Sequence, residues 1–85
     1  MITSDRLPCG IQVVCEEIRD AQAACIGIWI GAGSSRETPD QAGISHLIEH
    51  MLFKGTEKRS AKEIAGDTDH IGASVNAFTG KEATC

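Results

Sequence analysis

Residues 23–30 are the segment that most restricts the fold, because both of its faces are apolar. Three isoleucines alternate there with a cysteine, a glycine and a tryptophan, and this period of two predicts a β-strand. A strand that is apolar on both faces belongs inside a sheet that is covered on both sides. The chain has 85 residues, at most one small domain, and so short a chain has few elements to supply that cover.

Two other segments are predicted to be strands. Residues 11–15 follow a turn at Gly10 and are expected to pair with residues 23–30 as a hairpin. Residues 74–79 alternate between apolar and polar side chains, which predicts a third strand.

Two helices are predicted between the second and third strands. Residues 38–41 read Thr-Pro-Asp-Gln, a capping-box signal, and precede a helix expected over residues 43–54 and ended by Gly55. Residues 60–63 read Ser-Ala-Lys-Glu, a second capping box, and open a helix that is expected to stop at Gly72. The order strand, strand, helix, helix, strand predicts an α+β fold, an antiparallel sheet packed by helices.

Composition and charge exclude several classes of protein. The net charge is −4, so there is no basic surface and nucleic acid is not expected as a partner. No apolar run is long enough to cross a bilayer, and residues 1–8 lack the apolar segment of a signal peptide. We therefore expect a cytoplasmic protein without a membrane partner. The four cysteines form no C-x-x-C pair, which favours buried, reduced thiols over a metal or redox role.

The chemistry is concentrated in the first predicted helix, where the sequence reads His46-Leu47-Ile48-Glu49-His50. Residues four apart lie on the same side of a helix, so both imidazoles can approach one ion, and neutral imidazole is a good zinc ligand. The Glu49 carboxylate stands beside them and can take a proton from zinc-activated water, then pass it to a leaving amine. The spacing is the inverted zincin pattern, H-x-x-E-H.

A plainer interpretation of these residues is two surface histidines and a solvated carboxylate. It is disfavoured because two of the three histidines in the chain flank this one glutamate. A catalytic zinc usually needs a third protein ligand. His70 is more simply a solvated helix residue, and none of the remaining carboxylates is marked by its spacing, so the residues alone leave the third ligand open.

The chain resembles the inverted-zincin metallopeptidases, which include pitrilysin, insulin-degrading enzyme and the mitochondrial processing peptidase. The resemblance covers nearly the whole chain and is carried by residues 31–38, 42–56, 71–72 and 76–82. It is nearest to the bacterial processing-peptidase-like branch.

The resemblance implies that His46 and His50 bind Zn²⁺ and that Glu49 is the general base. It also implies that Asn76, Ala77 and Phe78 form a strand edge to which an extended peptide substrate adds through main-chain hydrogen bonds, although a purely structural role for Asn76 fits equally well. In the family a glutamate beyond the position of Cys85 completes the zinc site, and two related halves enclose the peptide. Residues 1–85 thus resemble the N-terminal segment of an incomplete metallopeptidase domain.

Two functional hypotheses follow. The first is the N-terminal part of a zinc-dependent endopeptidase that hydrolyses peptides or unfolded segments, inactive as 85 residues alone. The alternative is a non-catalytic peptide-binding or assembly subunit of a processing-peptidase-like complex. Because the apolar strand and helix faces lack cover, we also expect self-association or a complementary partner chain.

Overall fold

The computed structural model describes all 85 residues and begins with a β-hairpin. Strand β1 (Ile2–Arg6) pairs antiparallel with strand β2 (Gln12–Glu16). The turn between them includes Gly10, whose φ of +96° suits glycine. The turn prediction is confirmed, but the pairing prediction was wrong. β2 pairs with the residues before it rather than with residues 23–30, because a short turn already holds β1 alongside it and closing so short a loop costs little entropy.

Residues 23–30 do not form the predicted strand. Only Ile30 makes a backbone bridge, to Thr84, with N···O distances of 2.9 and 3.0 Å. Ile26 is 88% exposed and Trp29 is 69% exposed. A strand needs a neighbouring ladder and, with two apolar faces, two covering layers. The 85 residues provide neither a neighbouring strand along residues 23–30 nor two layers to cover them.

Helix α1 (Ile44–Met51) is shorter than predicted at both ends. The capping box at residues 38–41 was wrong, since Thr38 makes no side-chain cap and Pro39–Gln41 form a 3-10 turn. The chain then passes through Gly43, at φ +89°, before the helix begins. At the other end the helix stops at Met51, and Gly55 lies in a separate turn where it bridges Ser60.

Helix α2 (Ala61–His70) begins after Ser60 and ends before Gly72, as predicted, although only the Ser60 half of the capping box forms. The Ser60 hydroxyl accepts a hydrogen bond from the Glu63 amide at 3.1 Å and donates one to the Glu63 carboxylate at 3.3 Å. Gly72, at φ +70°, follows the helix. The Gly72 N–H bonds the Asp69 carbonyl and the Ala73 N–H bonds the Thr68 carbonyl, both at 3.0 Å, which is the Schellman pattern of helix ends.

The third strand, predicted over residues 74–79, was also wrong. Thr79 makes a single bridge to Thr84, and Phe78 and Cys85 exchange two backbone hydrogen bonds at 2.9 Å. Residues 78–85 thus close on themselves as a tight loop, called here the C-terminal hairpin. The order of elements is strand, strand, helix, helix, and the chain is a small α+β unit whose helices form no packed layer on the sheet.

The chain has almost no buried interior. Gly33 is its only buried residue, and no hydrophobic side chain is buried. The accessible surface is 7829 Å², against about 4,900 Å² for a folded monomer of this mass. The radius of gyration is 15.9 Å, against about 12 Å for a compact domain of this length. No helix has the length and apolar character needed to cross a bilayer.

Candidate active site

Helix α1 brings the two histidines of the motif into contact. One turn of helix separates His46 from His50, and their Nε2 atoms lie 2.9 Å apart. The ring centroids are 4.4 Å apart with the planes tilted by 57°. Both side chains are open to solvent. Because the two Nε2 atoms are this close, they lie side by side on the exposed face of the helix and can approach one ion.

This convergence fits two positions of a zinc site. Two nitrogens bound to a tetrahedral zinc at about 2.0–2.1 Å would lie roughly 3.3–3.4 Å apart. The observed separation of 2.9 Å differs from that value by a distance that small side-chain rotations can supply. His46 and His50 are therefore the residues of this chain that could hold the metal.

Glu49 lies beside the histidines in a more sheltered position. Its side chain is 16% exposed, whereas that of His46 is 67% exposed, and its Oε2 is 3.9 Å from His46 Nε2. The Thr79 hydroxyl donates a hydrogen bond to the same Oε2 at 3.0 Å. The carboxylate is thus fixed next to the two nitrogens without standing between them.

The structure does not bring a third metal ligand to this cluster. No group of three histidine, cysteine, aspartate or glutamate side chains is arranged to hold an ion. His70 ends α2, and Glu63 is engaged with Ser60 at the start of that helix. The cysteines are free thiols, as predicted, but three of them are exposed and Cys85 is half-buried, so the expectation of burial was wrong.

Sequence reasoning missed Glu37, which caps α1 from outside the helix. Its carboxylate oxygens accept hydrogen bonds from the amides of Gly43 at 2.9 Å and Ser45 at 2.8 Å. The Ser45 amide lowers the pKa of the Glu37 carboxyl most, followed by the Gly43 amide and then the Ser45 side chain, because each stabilises the charged form. A negative charge there also suits the positive end of the helix. The absence of Ser, Thr, Asp or Asn at position 43 was the available signal that the cap comes from elsewhere.

The loop that carries Glu37 is tied to the C-terminal hairpin. The Ser34 amide bonds the Gly80 carbonyl at 3.2 Å, and the Ser35 amide bonds the Lys81 carbonyl at 2.8 Å. The Ser35 hydroxyl donates to the same Lys81 carbonyl at 2.5 Å. One loop therefore sets the start of α1 on one side and the position of Thr79 on the other.

A polar groove lies at this junction, beside His46. Its volume is about 260 Å³, and none of its lining residues is hydrophobic. It is lined by Ser34, Glu37, Gly43, His46, Thr79 and Gly80. The groove leaves one side of the histidine pair open to a polar molecule.

The three residues predicted to receive substrate lie outside any strand. The Asn76 side chain accepts a hydrogen bond from the Ala77 amide at 2.9 Å, and both main-chain groups of Phe78 pair with Cys85. The carbonyls of Asn76 and Ala77 accept no hydrogen bond. The segment thus retains two main-chain acceptors, next to the Thr79 that contacts Glu49.

Two imidazoles that converge beside a sheltered carboxylate on one helix, in the order H-x-x-E-H, are the pattern of an inverted zincin. Comparison with known proteins agrees. The sequence profile of the family "Insulinase (Peptidase family M16)" matches residues 12–85, and the chain belongs to this peptidase family. The resemblance stated from the sequence is confirmed at this level.

Individual relatives agree with this assignment. The chain is 54% identical over 76 residues to an uncharacterized zinc protease, YmxG, of Bacillus subtilis, covering 89% of this chain and 19% of the relative. It is 40% identical over 78 residues to a probable mitochondrial-processing peptidase subunit beta of Arabidopsis thaliana, covering 92% and 15%. It is 43% identical over 79 residues to core protein I of the ubiquinol-cytochrome-c reductase complex of Euglena gracilis, covering 93% and 16%. The chain thus spans less than a fifth of the length of these curated relatives.

Proposed function

We propose that these residues belong to a zinc-dependent endopeptidase that hydrolyses peptide bonds in peptides or unfolded segments. The observation that carries the proposal is the 2.9 Å approach of the Nε2 atoms of His46 and His50, with the Glu49 carboxylate beside them. Family membership and the relative named as a zinc protease support it.

The chain's own residues divide the chemistry between them. His46 and His50 would hold the metal through their Nε2 atoms. A bound zinc ion would act as a Lewis acid and lower the pKa of water to about 7, as in other hydrolytic sites. Glu49 would take the proton from that water and deliver it to the amine of the departing peptide. The hydrogen bond from the Thr79 hydroxyl to Glu49 holds the carboxylate beside His46, where it could reach that water.

The peptide would bind along residues 76–78. The free carbonyls of Asn76 and Ala77 can accept hydrogen bonds from the main chain of an extended peptide, which requires little of its side chains. Asn76, Ala77 and Phe78 are therefore proposed as substrate-binding residues, with a broad range of peptides as substrates.

The test is hydrolysis of a fluorogenic peptide by the protein in its full natural length. Activity is expected to disappear with a zinc chelator and return with added zinc. Glu49→Gln is expected to lower kcat by at least about 100-fold, since general acid–base catalysis contributes roughly 10²–10⁴-fold. The matched control is Glu57→Gln, an exposed carboxylate between α1 and α2, which is expected to retain activity. Full activity in Glu49→Gln would remove that residue from the mechanism.

By themselves, the 85 residues are expected to be inactive. They provide two converging metal ligands and no third, whereas a catalytic zinc usually has three protein ligands. We infer that self-association or a complementary chain covers the exposed apolar surfaces.

A second candidate is a non-catalytic subunit that binds peptides or assembles a complex. The Euglena relative favours it, because that protein is named as a core protein of the ubiquinol-cytochrome-c reductase complex rather than as a protease. Metal analysis of the full natural-length protein separates the two. One tightly held zinc per chain supports the endopeptidase, and its absence supports the assembly subunit.

A further inference from the structure

We propose that Thr79 is a positioning residue for Glu49 and holds its carboxylate beside the two imidazoles. The inference rests on the proposed function, because it gives a residue outside the motif a part in the same reaction. It starts from the hydrogen bond between the Thr79 hydroxyl and Glu49 Oε2, 3.0 Å long and spanning 30 positions of sequence. Among the hydrogen bonds between two side chains, it joins the residues farthest apart in the chain.

Backbone contacts within the C-terminal hairpin hold Thr79, the residue that donates to Glu49. It bridges Thr84 within the C-terminal hairpin, and the next residue, Gly80, bonds Ala83 through its amide at 2.9 Å and Ser34 through its carbonyl at 3.2 Å. The Thr79 side chain is half-buried. The backbone of Thr79 is therefore placed by the hairpin, independently of Glu49.

The chemistry of the two groups fixes the direction of the bond. An ionised carboxylate only accepts hydrogen bonds, so the Thr79 hydroxyl must donate. The bond is made to Oε2, the same oxygen that lies 3.9 Å from His46 Nε2. The Thr79 hydroxyl thus holds the carboxylate on the side of the histidines.

Thr79 has two simpler roles from which this one must be separated. It directly follows the proposed substrate segment, so it could contact the peptide, in which case its loss would raise KM. It is also part of the hairpin, so its loss could loosen the fold. The conservative variant and a second hydroxyl in the same hairpin distinguish these roles.

The experiment compares Thr79→Val, Thr79→Ser and Thr84→Val in the full natural-length protein. Thr84 is the matched control, because its hydroxyl donates to the Ala32 carbonyl at 2.8 Å and not to Glu49. Thr79→Val is expected to lower kcat about 10- to 100-fold, the range of a lost hydrogen bond to a charged group, while KM and bound zinc stay unchanged. Thr79→Ser should restore most of kcat, and Thr84→Val should leave kcat unchanged.

The remaining results overturn the inference. An unchanged kcat in Thr79→Val, a change confined to KM, or an equal loss of kcat in Thr84→Val each contradicts it. A further readout needs no turnover: in the Glu49→Gln background, Thr79→Val should leave the dissociation constant of a bound peptide unchanged. A higher dissociation constant would instead mean that Thr79 contacts the peptide.

A double-mutant cycle separates this inference from the proposed function. Wild-type protein that hydrolyses no peptide contradicts the proposed function, and the contact is then tested by thermal unfolding of Thr79→Val, Glu49→Ala and the double variant. Residues in contact give non-additive effects. A double-variant shift smaller than the sum of the single shifts supports the contact, and a shift equal to the sum overturns it.

Discussion

Gly33 lies so close to Gly80 that a methyl group added at Gly33 would sit 2.5 Å from the Gly80 carbonyl oxygen. The Lys81 carbonyl group would be 2.7 Å away from the same methyl group. Gly33 has an extended backbone, with φ −155°, which any residue adopts. Glycine is therefore needed there by contact with the C-terminal hairpin and not by backbone conformation.

Gly33→Ala is expected to separate the loop from the C-terminal hairpin. Because backbone atoms cannot yield as a flexible side chain does, the substitution should cost about 1–3 kcal/mol, the range for overpacking. Hydrogen exchange in the full natural-length protein should show faster exchange at the amides of Ser34 and Ser35, which bond Gly80 and Lys81.

Gly31→Ala is the matched control, because a methyl group there meets nothing within 4 Å. It should leave the exchange of both serine amides unchanged. Equal protection in the two alanine variants would contradict the contact between the loop and the hairpin.

The second prediction concerns the metal. His50→Ala should lower zinc affinity by more than about 100-fold, since loss of an outer-shell partner alone costs roughly 10–100-fold. Competition with a chelator of known affinity measures this directly. His70→Ala, at the end of α2, is the control and should bind zinc as the unmodified protein does. An equal loss of zinc affinity in both variants would contradict a zinc site at His46 and His50.

The third prediction is the pH dependence of the Glu37 cap. The pKa of the folded carboxyl lies below its ordinary value of 4.5, so its contribution is present above that value and lost as pH falls through the folded pKa. In the full natural-length protein, Glu37→Gln should therefore unfold at a lower temperature than wild type near pH 7, with the difference shrinking progressively below about pH 4.5.

The control for this prediction is Glu57→Gln, which removes an exposed carboxylate that caps no helix. Thermal melts of both variants and wild type across the pH range separate the cap from the general effect of removing a negative charge. A difference for Glu37→Gln that stays constant down to pH 3 would contradict the capping role.

Some features could be predicted from the sequence because their causes are local. The start of α2 depends on Ser60 and Glu63, three positions apart, and its end depends on Gly72. His46, Glu49 and His50 are brought together by the helix itself, so their spacing was sufficient to place them.

The two strand predictions that failed required a neighbouring strand that these residues do not provide. Residues 23–30 have the composition of a strand, but a strand is stabilised by its neighbours, and β2 pairs with β1 instead. Glu37 and Thr79 were missed because each acts on α1 from outside that helix, Glu37 from six and eight positions before its partners and Thr79 from 30 positions after Glu49. Their roles depend on their hydrogen-bond partners, and the periodicity of the sequence does not predict those partners.

The last prediction concerns the apolar surface. The 85 residues expose about 2,900 Å² more than a compact monomer of this mass, which exceeds the roughly 800 Å² that each partner buries in a standard interface. Ile26 and Ile28 contribute to it at 88% and 71% exposure. The 85-residue polypeptide is therefore expected to sediment above its monomer mass.

Replacing both isoleucines with lysine should shift it towards monomer, whereas lysine at two exposed polar positions, Gln22 and Ser74, should not. A single monomeric species with a cooperative melt would contradict the prediction, because such a melt requires an interior that these residues do not form.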